Sequence, residues 1–257
     1  MAKNSRPSGE PVEPSQLDLL PAGVALSWGL VPTGTRGPKP GMSVAKIVEA
    51  AMQLADQGGL AAVSMKSVAD RLGFTAMSLY RYISSKEDLL ILMLDAGFGP
   101  VPANVNAAGD WRGQCRAWTD AVYYRILDHP WVVDIPIGGA PMTYFQTRWL
   151  ESALQALVAT SLSGAEKLNT ALTLSSLAMA NARLTRDMRQ GRGQYSTLEE
   201  GKRFEEALAG LLPAGEFPEL APLVQANAFS DDDGAEHEHF EFAVELVLDG
   251  VAARLKS

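Results

Sequence analysis

An all-α fold is the class that this 257-residue sequence predicts, and three observations support the prediction. Apolar residues recur at three- and four-residue spacing along most of the chain, as they do on the buried faces of helices. Ser, Thr or Asp precedes several of these runs, and Gly or Pro follows them. No run between turn signals alternates apolar and polar residues in the manner of a strand.

Composition narrows the class of protein. Hydrophobic residues make up 47% of the chain, enough for a real core. The single cysteine, Cys115, excludes a disulfide framework and favours a reducing cytoplasm. The stretch 17–31 contains Asp18 and Pro21 and is too short to span a membrane. The formal net charge is −8, and residues 43–98, with five basic and six acidic side chains, carry little of it.

The segment Ser64–Lys86 predicts two short helices joined by a tight turn. Its first helix has one apolar face, and Gly73 follows where a helix end needs a residue that tolerates positive φ. Thr75 is the predicted N-cap of the second helix. In that helix Ala76, Leu79 and Ile83 point inward. The outward residues, which suit a groove of DNA, are Thr75, Met77, Ser78, Arg81 and Tyr82.

The run LGFTAMSLYRYISSKEDLL resembles the helix-turn-helix of the tetracycline-repressor (TetR) family of bacterial regulators. Tyr82 and Ile83 stand where His and Phe are commonest in that family. The resemblance covers about residues 43–98. The matching residues are Leu72, Gly73, Thr75, Leu79, Tyr80, Tyr82 and Lys86.

This resemblance implies a DNA-binding surface. Met77 and Ser78 occupy positions that touch base edges in the family, and Lys66 lies at the start of the preceding helix. Hydroxyls and Lys suit phosphate oxygens, and Met suits a thymine methyl. The alternative is a helical bundle with ordinary polar surface residues. The full expected set is Arg36, Lys39, Lys66, Thr75, Met77, Ser78, Tyr80, Arg81, Tyr82 and Lys86.

The N-terminal extension, residues 1–42, is rich in Pro and Gly and is expected to be partly disordered. Arg36 and Lys39 form a short basic arm just before the first helix. Such an arm can reach into a minor groove. The alternative is a linker with two solvated charges.

Gly99 and Pro100 mark the predicted boundary between a helix-turn-helix domain, 43–98, and a larger C-terminal helical domain, 99–257. Ser43 is the predicted cap of the first helix, and Gly58–Gly59 is predicted to end it. Capping boxes are predicted at Ser84 with Glu87 and at Ser163 with Glu166. His129 is expected to cap the end of a helix. Predicted helices run over about 43–57, 65–72, 75–83, 84–98, 110–129, 142–162, 163–190, one from Ser196 or Thr197, and 235–256.

The resemblance implies that the second domain binds a small-molecule effector. Its aromatic side chains can line a cavity between helices, although any single one is better explained as core. We expect Trp118, Tyr144, Trp149 and Asn181 to be ligand-binding. No cofactor is expected, and Cys115 is assigned to the core. A metal site at Asp231–Asp233 with His237 is the less favoured alternative to a solvated, acidic helix start.

The last helix carries an apolar stripe at the spacing of bundled helices: Phe240, Val244, Val247, Val251 and Leu255. The helix at 166–190 has a face with small residues. We expect these two helices to form a homodimer interface, with Phe240, Val244, Val247 and Val251 in it. The alternative is that the stripe contacts the chain's own core.

Together these patterns predict a dimeric, ligand-responsive repressor that releases a pseudo-palindromic DNA operator when it binds a small molecule. No catalytic set of residues is recognisable, so we expect no enzyme activity. The alternatives are a helical enzyme or binding module whose helix-turn-helix is only structural, and a dimeric scaffold that senses nothing.

Overall fold

The computed structural model describes residues 19–30, 41–107, 109–136, 142–191, 203, 206–207, 209–213, 215–226 and 235–256. Regular structure within these ranges is entirely helical, which confirms the all-α prediction. In chain order the helices are α1 Ala22–Ser27, α2 Val44–Gly58, α3 Met65–Leu72, α4 Ala76–Leu79, α5 Lys86–Phe98, α6 Trp111–Asp128, α7 Tyr144–Ala156, α8 Gly164–Gly191, α9 Leu220–Gln225 and α10 Ala235–Arg254.

The chain forms two compact units. The first contains Met1–Pro102 and Trp131–Ser152, and the second contains Ala103–Pro130 and Ala153–Ser257. Residues 131–152, which the sequence places in the C-terminal domain, therefore cluster with the helix-turn-helix. The helix predicted to open at Ser196 or Thr197 starts outside the described residues.

The first unit is built on α2, α3 and α5. Ser43 caps α2 as predicted, because its Oγ accepts the Lys46 N–H at 3.3 Å. Gly59, with φ 70°, ends the helix. Fully buried side chains fill the core of this unit: Ile47, Val63, Val68, Leu79, Ile83, Leu89 and Met93.

The predicted capping box of α5 is wrong by one residue. Ser85, not Ser84, is the N-cap, and Asp88 replaces Glu87 as its partner. The Ser85 Oγ accepts the Asp88 N–H at 3.0 Å and donates to Asp88 Oδ2 at 2.9 Å. The shift follows because the helix begins at Lys86, which places Asp88 rather than Glu87 at the third helical position.

Hydrogen bonds tie the 131–152 segment to α2, α5 and the residue that follows α5, all within the first unit. Trp131 Nε1 donates to Asp56 Oδ1 at 2.6 Å, and Trp149 Nε1 donates to the Gly99 carbonyl at 2.9 Å. Asp95 Oδ1 accepts the Phe145 N–H at 2.7 Å at the start of α7. Burial raises the pKa of Asp95, and hydrogen bonds from Thr143 and the backbone partly offset that rise. The predicted helix 142–162 is shorter, since α7 ends at Ala156.

The second unit packs α6, α8 and α10 around one core. The Asp110 carboxylate caps α6 by accepting the Gly113 N–H at 2.9 Å. Ser163 and Glu166 exchange the predicted capping-box bonds at the start of α8. Buried side chains from all three helices meet in this core: Trp118, Val122, Ile126, Leu174, Ala178, Ala182, Phe240, Val244 and Leu248.

An ion-pair network joins α6 to α10 at the surface. Arg112 pairs with Glu245 and, at 2.7 Å, with Asp249. Arg116 pairs with Glu245 and, at 2.5 Å, with Glu241. The hydrogen bond from Arg112 holds the pKa of the Glu245 carboxyl below its usual range, with Arg116 adding to the effect. This network fixes the pairing of two helices that are far apart in sequence.

Cys115 lies in the α6 core, as the sequence predicts. Burial, with a smaller contribution from Asp110, raises the pKa of its thiol to about 12. The thiol is therefore protonated and inert in the folded chain. Among the described residues, none of the helices has the length and apolar character needed to cross a membrane.

Candidate nucleic-acid interface

The first helix of the motif, α3, is fixed to α2 and closed by a glycine. Arg71 Nη2 donates to Gln53 Oε1 at 3.0 Å, and Arg71 Nη1 donates to Gln57 Oε1 at 3.3 Å. Gly73 has φ 74°, a left-handed conformation that glycine adopts at low cost. Arg71 therefore anchors α3 to α2. The turn at Gly73 leads directly into α4.

The predicted recognition helix is a single turn. Helix α4 spans four residues, and backbone bonds from Tyr82 and Ile83 to the Leu79 carbonyl continue it as a turn. Thr75 occupies the N-cap position with extended backbone, but its hydroxyl does not bond to a backbone N–H. It pairs instead with the Ser78 hydroxyl at 2.9 Å, which corrects the predicted cap.

The buried and exposed faces of this turn follow the sequence prediction except at Ala76, which was expected to point inward and is half-buried. Leu79 and Ile83 are fully buried, whereas Met77 is 76% exposed and Tyr80 is 47% exposed. An apolar side chain with that exposure contributes nothing to the core of one chain, so it is available to a partner. Lys66, Thr75, Arg81 and Lys86 are exposed, and Ser78 and Tyr82 are half-buried.

Arg36 and Lys39 of the basic arm lie outside the described residues. Its C-terminal end is visible at Gly41. A Cβ added to Gly41 would be 3.8 Å from the ring of Phe74, in the turn of the motif. The Gly41 carbonyl also accepts a hydrogen bond from Lys46 Nζ at 2.8 Å. The arm therefore joins the body beside the helix-turn-helix.

The four residues expected to bind a ligand divide between the two units. Tyr144 and Trp149 belong to the first unit, where the rings of Tyr144 and Trp28 form a T-shaped contact with centroids 5.4 Å apart. Trp118 and Asn181 belong to the second unit and are buried. The Asn181 amide donates to the Leu177 carbonyl at 2.9 Å. The four do not assemble within either unit.

The second unit contains a buried polar pair that was not predicted from the sequence. The hydroxyls of Tyr123 and Thr185 lie 3.0 Å apart, and Tyr123 stacks on Phe240 with centroids 4.2 Å apart. Thr185 follows Asn181 by four residues, so both lie on one face of α8. Polar residues at that spacing on a buried helix face are the sequence signal that could have found this pair.

The predicted interface stripe of α10 turns inward. Phe240 and Val244 are fully buried, Val251 is 7% exposed, and Leu248 is buried where the prediction has Val247. These side chains pack in the core formed with α6 and α8, so they are unavailable to a second chain. The interface residues expected from this stripe are therefore corrected to core residues, with Val247 half-buried at its margin.

Other apolar residues are exposed on the same two helices. On α10, Phe242 is 64% exposed and Leu246 is 57% exposed. Phe242 is two residues after the buried Phe240, and Leu246 is two residues after the buried Val244. Two residues correspond to about 200° of rotation, so both exposed side chains point away from the buried side of the helix. Leu168 and Leu172 on α8 are also exposed.

Of the three histidines, His129 is the C-cap residue of α6, as predicted. The alternative metal site falls on Asp231–Asp233 and the His237 side chain, which lie outside the described residues.

Comparisons with known proteins agree with this geometry. A family model described as "Bacterial regulatory proteins, tetR family" matches residues 47–93, and one described as "Tetracyclin repressor-like, C-terminal domain" matches residues 102–255. The HTH-type transcriptional repressor DrrR1 of Streptomyces coeruleorubidus is 31% identical over 233 residues, covering 88% of this chain and 83% of that protein. An HTH-type transcriptional regulator of Saccharopolyspora erythraea is 31% identical over 221 residues, covering 84% and 86%.

Among solved structures, the TetR family protein ActR of Streptomyces coelicolor in complex with actinorhodin aligns with a TM-score of 0.68 and 25% identity. The alignment covers 85% of this chain and 98% of ActR. The matches span both units, and they place the helix-turn-helix where the geometry places it. The chain therefore belongs to the tetR family of bacterial regulatory proteins and is a helix-turn-helix transcriptional repressor.

Proposed function

We propose that the chain represses transcription as a homodimer that binds a pseudo-palindromic operator and releases it when a small molecule binds. The observation that carries the proposal is the division of α4 into a buried face and an exposed face. Leu79 and Ile83 anchor the turn in the core, and this leaves Met77 and Tyr80 projecting into solvent. A reading element needs this combination of a rigid base and free contact residues.

Each outward residue has a role that suits its chemistry. Met77 offers an apolar contact to a thymine methyl, and Ser78 offers a hydroxyl to a base edge. Tyr80, Tyr82 and Lys86 contact phosphates, as do Arg81 and Lys66 at the margins of the surface. Arg36 and Lys39 add minor-groove or phosphate contacts from the arm, which enters beside Phe74.

Dimerisation follows from the small size of the reading element. One turn of helix touches few base pairs, so two copies spaced by about 34–36 Å are needed for a selective site. The exposed apolar residues of α8 and α10 are suited to form the contact: Leu168, Leu172, Phe242 and Leu246. Two such helices from each chain would make a four-helix interface.

The second unit is the proposed site of the effector. ActR, which shares this fold, has been crystallised with actinorhodin. In this chain, the buried hydroxyls of Tyr123 and Thr185 and the amide of Asn181 lie on helices lined with aromatic and aliphatic side chains. Such a lining suits a largely apolar molecule with a few polar groups. The effector would favour a dimer whose reading elements no longer match the half-site spacing.

Selection from a library of random DNA duplexes tests the proposal. We expect the full chain to enrich a pseudo-palindrome with half-sites about 10 base pairs apart. The same sequence should be protected in a footprint upstream of a gene near its own. Actinorhodin is a sensible first probe for release. Enrichment of no sequence over random DNA would overturn the proposal, whatever the effector proves to be.

A further inference from the structure

Helix α1 docks on α5 so closely that only glycine fits at the contact. The Gly23 N–H donates to Asp88 Oδ1 at 2.7 Å. A Cβ built on Gly23 would lie 2.8 Å from the Asp88 carbonyl oxygen and 3.1 Å from Ile91 Cβ. Gly23, Val24 and Ala25 are all buried. The contact is therefore between two backbones, and it leaves no room for a side chain.

The Asp88 carboxylate completes the short helix. Pro21 is the N-cap residue of α1 and brings no side-chain acceptor to the exposed N–H groups of the first turn. Asp88 supplies that acceptor from α5. A helix of six residues is not stable alone. Its tertiary contacts must therefore hold it in place.

The other end of the segment is attached to the start of α7. Trp28 Nε1 donates to the Met142 carbonyl at 2.7 Å, and the Ser27 hydroxyl accepts the Tyr144 N–H at 3.3 Å. The rings of Trp28 and Tyr144 also form a T-shaped contact. Residues 19–30 thus bridge α5 and the chain just before α7, all within the first unit.

Asp88 links this bridge to the DNA-facing end of α5. Its second oxygen, Oδ2, accepts from the Ser85 hydroxyl at 2.9 Å, and Ser85 is the N-cap residue of α5. Lys86 is the next residue and the first of the helix. One carboxylate is therefore shared by the docked segment and by the cap beside a proposed phosphate contact.

We infer that residues 19–30 are an intramolecular strap that positions the N-terminus of α5, and with it Lys86, for phosphate contact. The inference rests on the proposed DNA binding. The strap holds Asp88 through Gly23, and Asp88 holds the cap that fixes where α5 begins. Gly23 is in this sense a positioning residue for Lys86, which it does not touch.

Gly23→Ala tests the strap, with Gly164→Ala as the matched control. An added Cβ at Gly164, the first residue of α8, meets nothing within 4 Å. Hydrogen exchange measured on the full chain should be faster for the hydrogen-bonded α5 amides at 88–90 in Gly23→Ala and unchanged in the control. Trp28→Phe, which removes the bond to Met142 and keeps an aromatic ring, should cause the same change to a smaller extent. Unchanged exchange in both strap variants would overturn the inference.

DNA binding provides the second readout, with the duplex that the wild-type chain selects as the probe. Gly23→Ala should weaken binding and lower the salt-dependence slope by about one, the amount expected for one lost phosphate contact. Adding Lys86→Ala to Gly23→Ala should then change the DNA affinity and the salt slope little, because the Lys86 contact is already lost in Gly23→Ala. Fully additive effects of the two substitutions would show that the strap does not act through Lys86. A wild-type chain that selects no duplex would overturn the proposed function, and hydrogen exchange would still decide the strap.

Discussion

Helix α4 and helix α10 each carry a functional face that the sequence predicts, and only in α4 does that face point outward. Met77 and Tyr80 are exposed beside the buried Leu79. On α10, by contrast, Phe240 and Val244 were expected to meet a second chain and are buried in their own. The difference lies in how far away the packing partners are in the sequence.

The inward face of α4 is decided locally, because α2, α3 and α5 lie within a few dozen residues of it. Helix α10 has apolar side chains on both sides, and spacing alone does not rank them. Its inward side is chosen by Tyr123, more than 100 residues earlier, which stacks on Phe240. A stripe on a long helix therefore predicts burial without saying against which chain.

The largest expected effect separates the two sides of α10. Phe240→Ala should lower the free energy of unfolding by about 3–5 kcal/mol, because it leaves a cavity in the α6–α8–α10 core. Phe242→Ala removes a ring of the same size from the exposed side. Its effect should depend on protein concentration, because it weakens association rather than the core of each chain. Chemical denaturation of each variant at two protein concentrations compares them. If Phe242→Ala lowers the free energy of unfolding by the same amount at both concentrations, the assignment of sides is contradicted.

Leu246→Glu tests the exposed side directly. A charge buried without a partner at the dimer contact should prevent association while each chain stays folded. Light scattering at micromolar concentration should give the monomer mass, and operator binding should be lost with it. Gln225→Glu on α9 adds the same charge at another exposed position and should leave a dimer. A Leu246→Glu protein that stays dimeric would move the interface elsewhere.

A smaller effect is expected from the α6–α10 ion pairs. The pKa of Glu245 is lowered in the folded chain, so its contribution to stability is present above its unfolded pKa of about 4.3 and is lost as pH falls through the folded value. Because these side chains are about one-third exposed, solvent screening keeps the contribution below about 1 kcal/mol. Glu245→Gln should flatten the fall of stability between about pH 5 and pH 3. Glu206→Gln, at another exposed site, should leave it unchanged.

Prediction from sequence succeeded where structure depends on neighbours along the chain. The all-α class, the cap at Ser43, the capping box at Ser163 and Glu166, and the glycine ends of α2 and α3 all follow from local rules. The Thr75 cap failed because its hydroxyl prefers Ser78, and the α5 cap failed by one residue. Local rules give the existence of a helix more securely than its first residue.

The candidate sites, too, could be predicted where they depend on neighbouring residues and could not where they depend on distant ones. The outward residues of α4 could be predicted because the motif contains its own packing partners. The docking of α1 on α5, and the return of residues 131–152 to the first unit, could not. Both depend on bonds between distant residues, such as Trp131 with Asp56, for which spacing along the chain gives no signal.

The most direct test of DNA reading through α4 compares Ser78→Ala with Lys86→Ala across salt concentrations. Each is measured on the duplex selected by the wild-type chain and on random DNA. Lys86→Ala should weaken binding to both alike and lower the salt slope by about one. Ser78→Ala should keep the slope and reduce the preference for the selected duplex, by about 1–3 kcal/mol if the contact is bidentate and by less for a lone hydroxyl. If both variants keep the wild-type preference and slope, α4 does not read DNA and the account is contradicted.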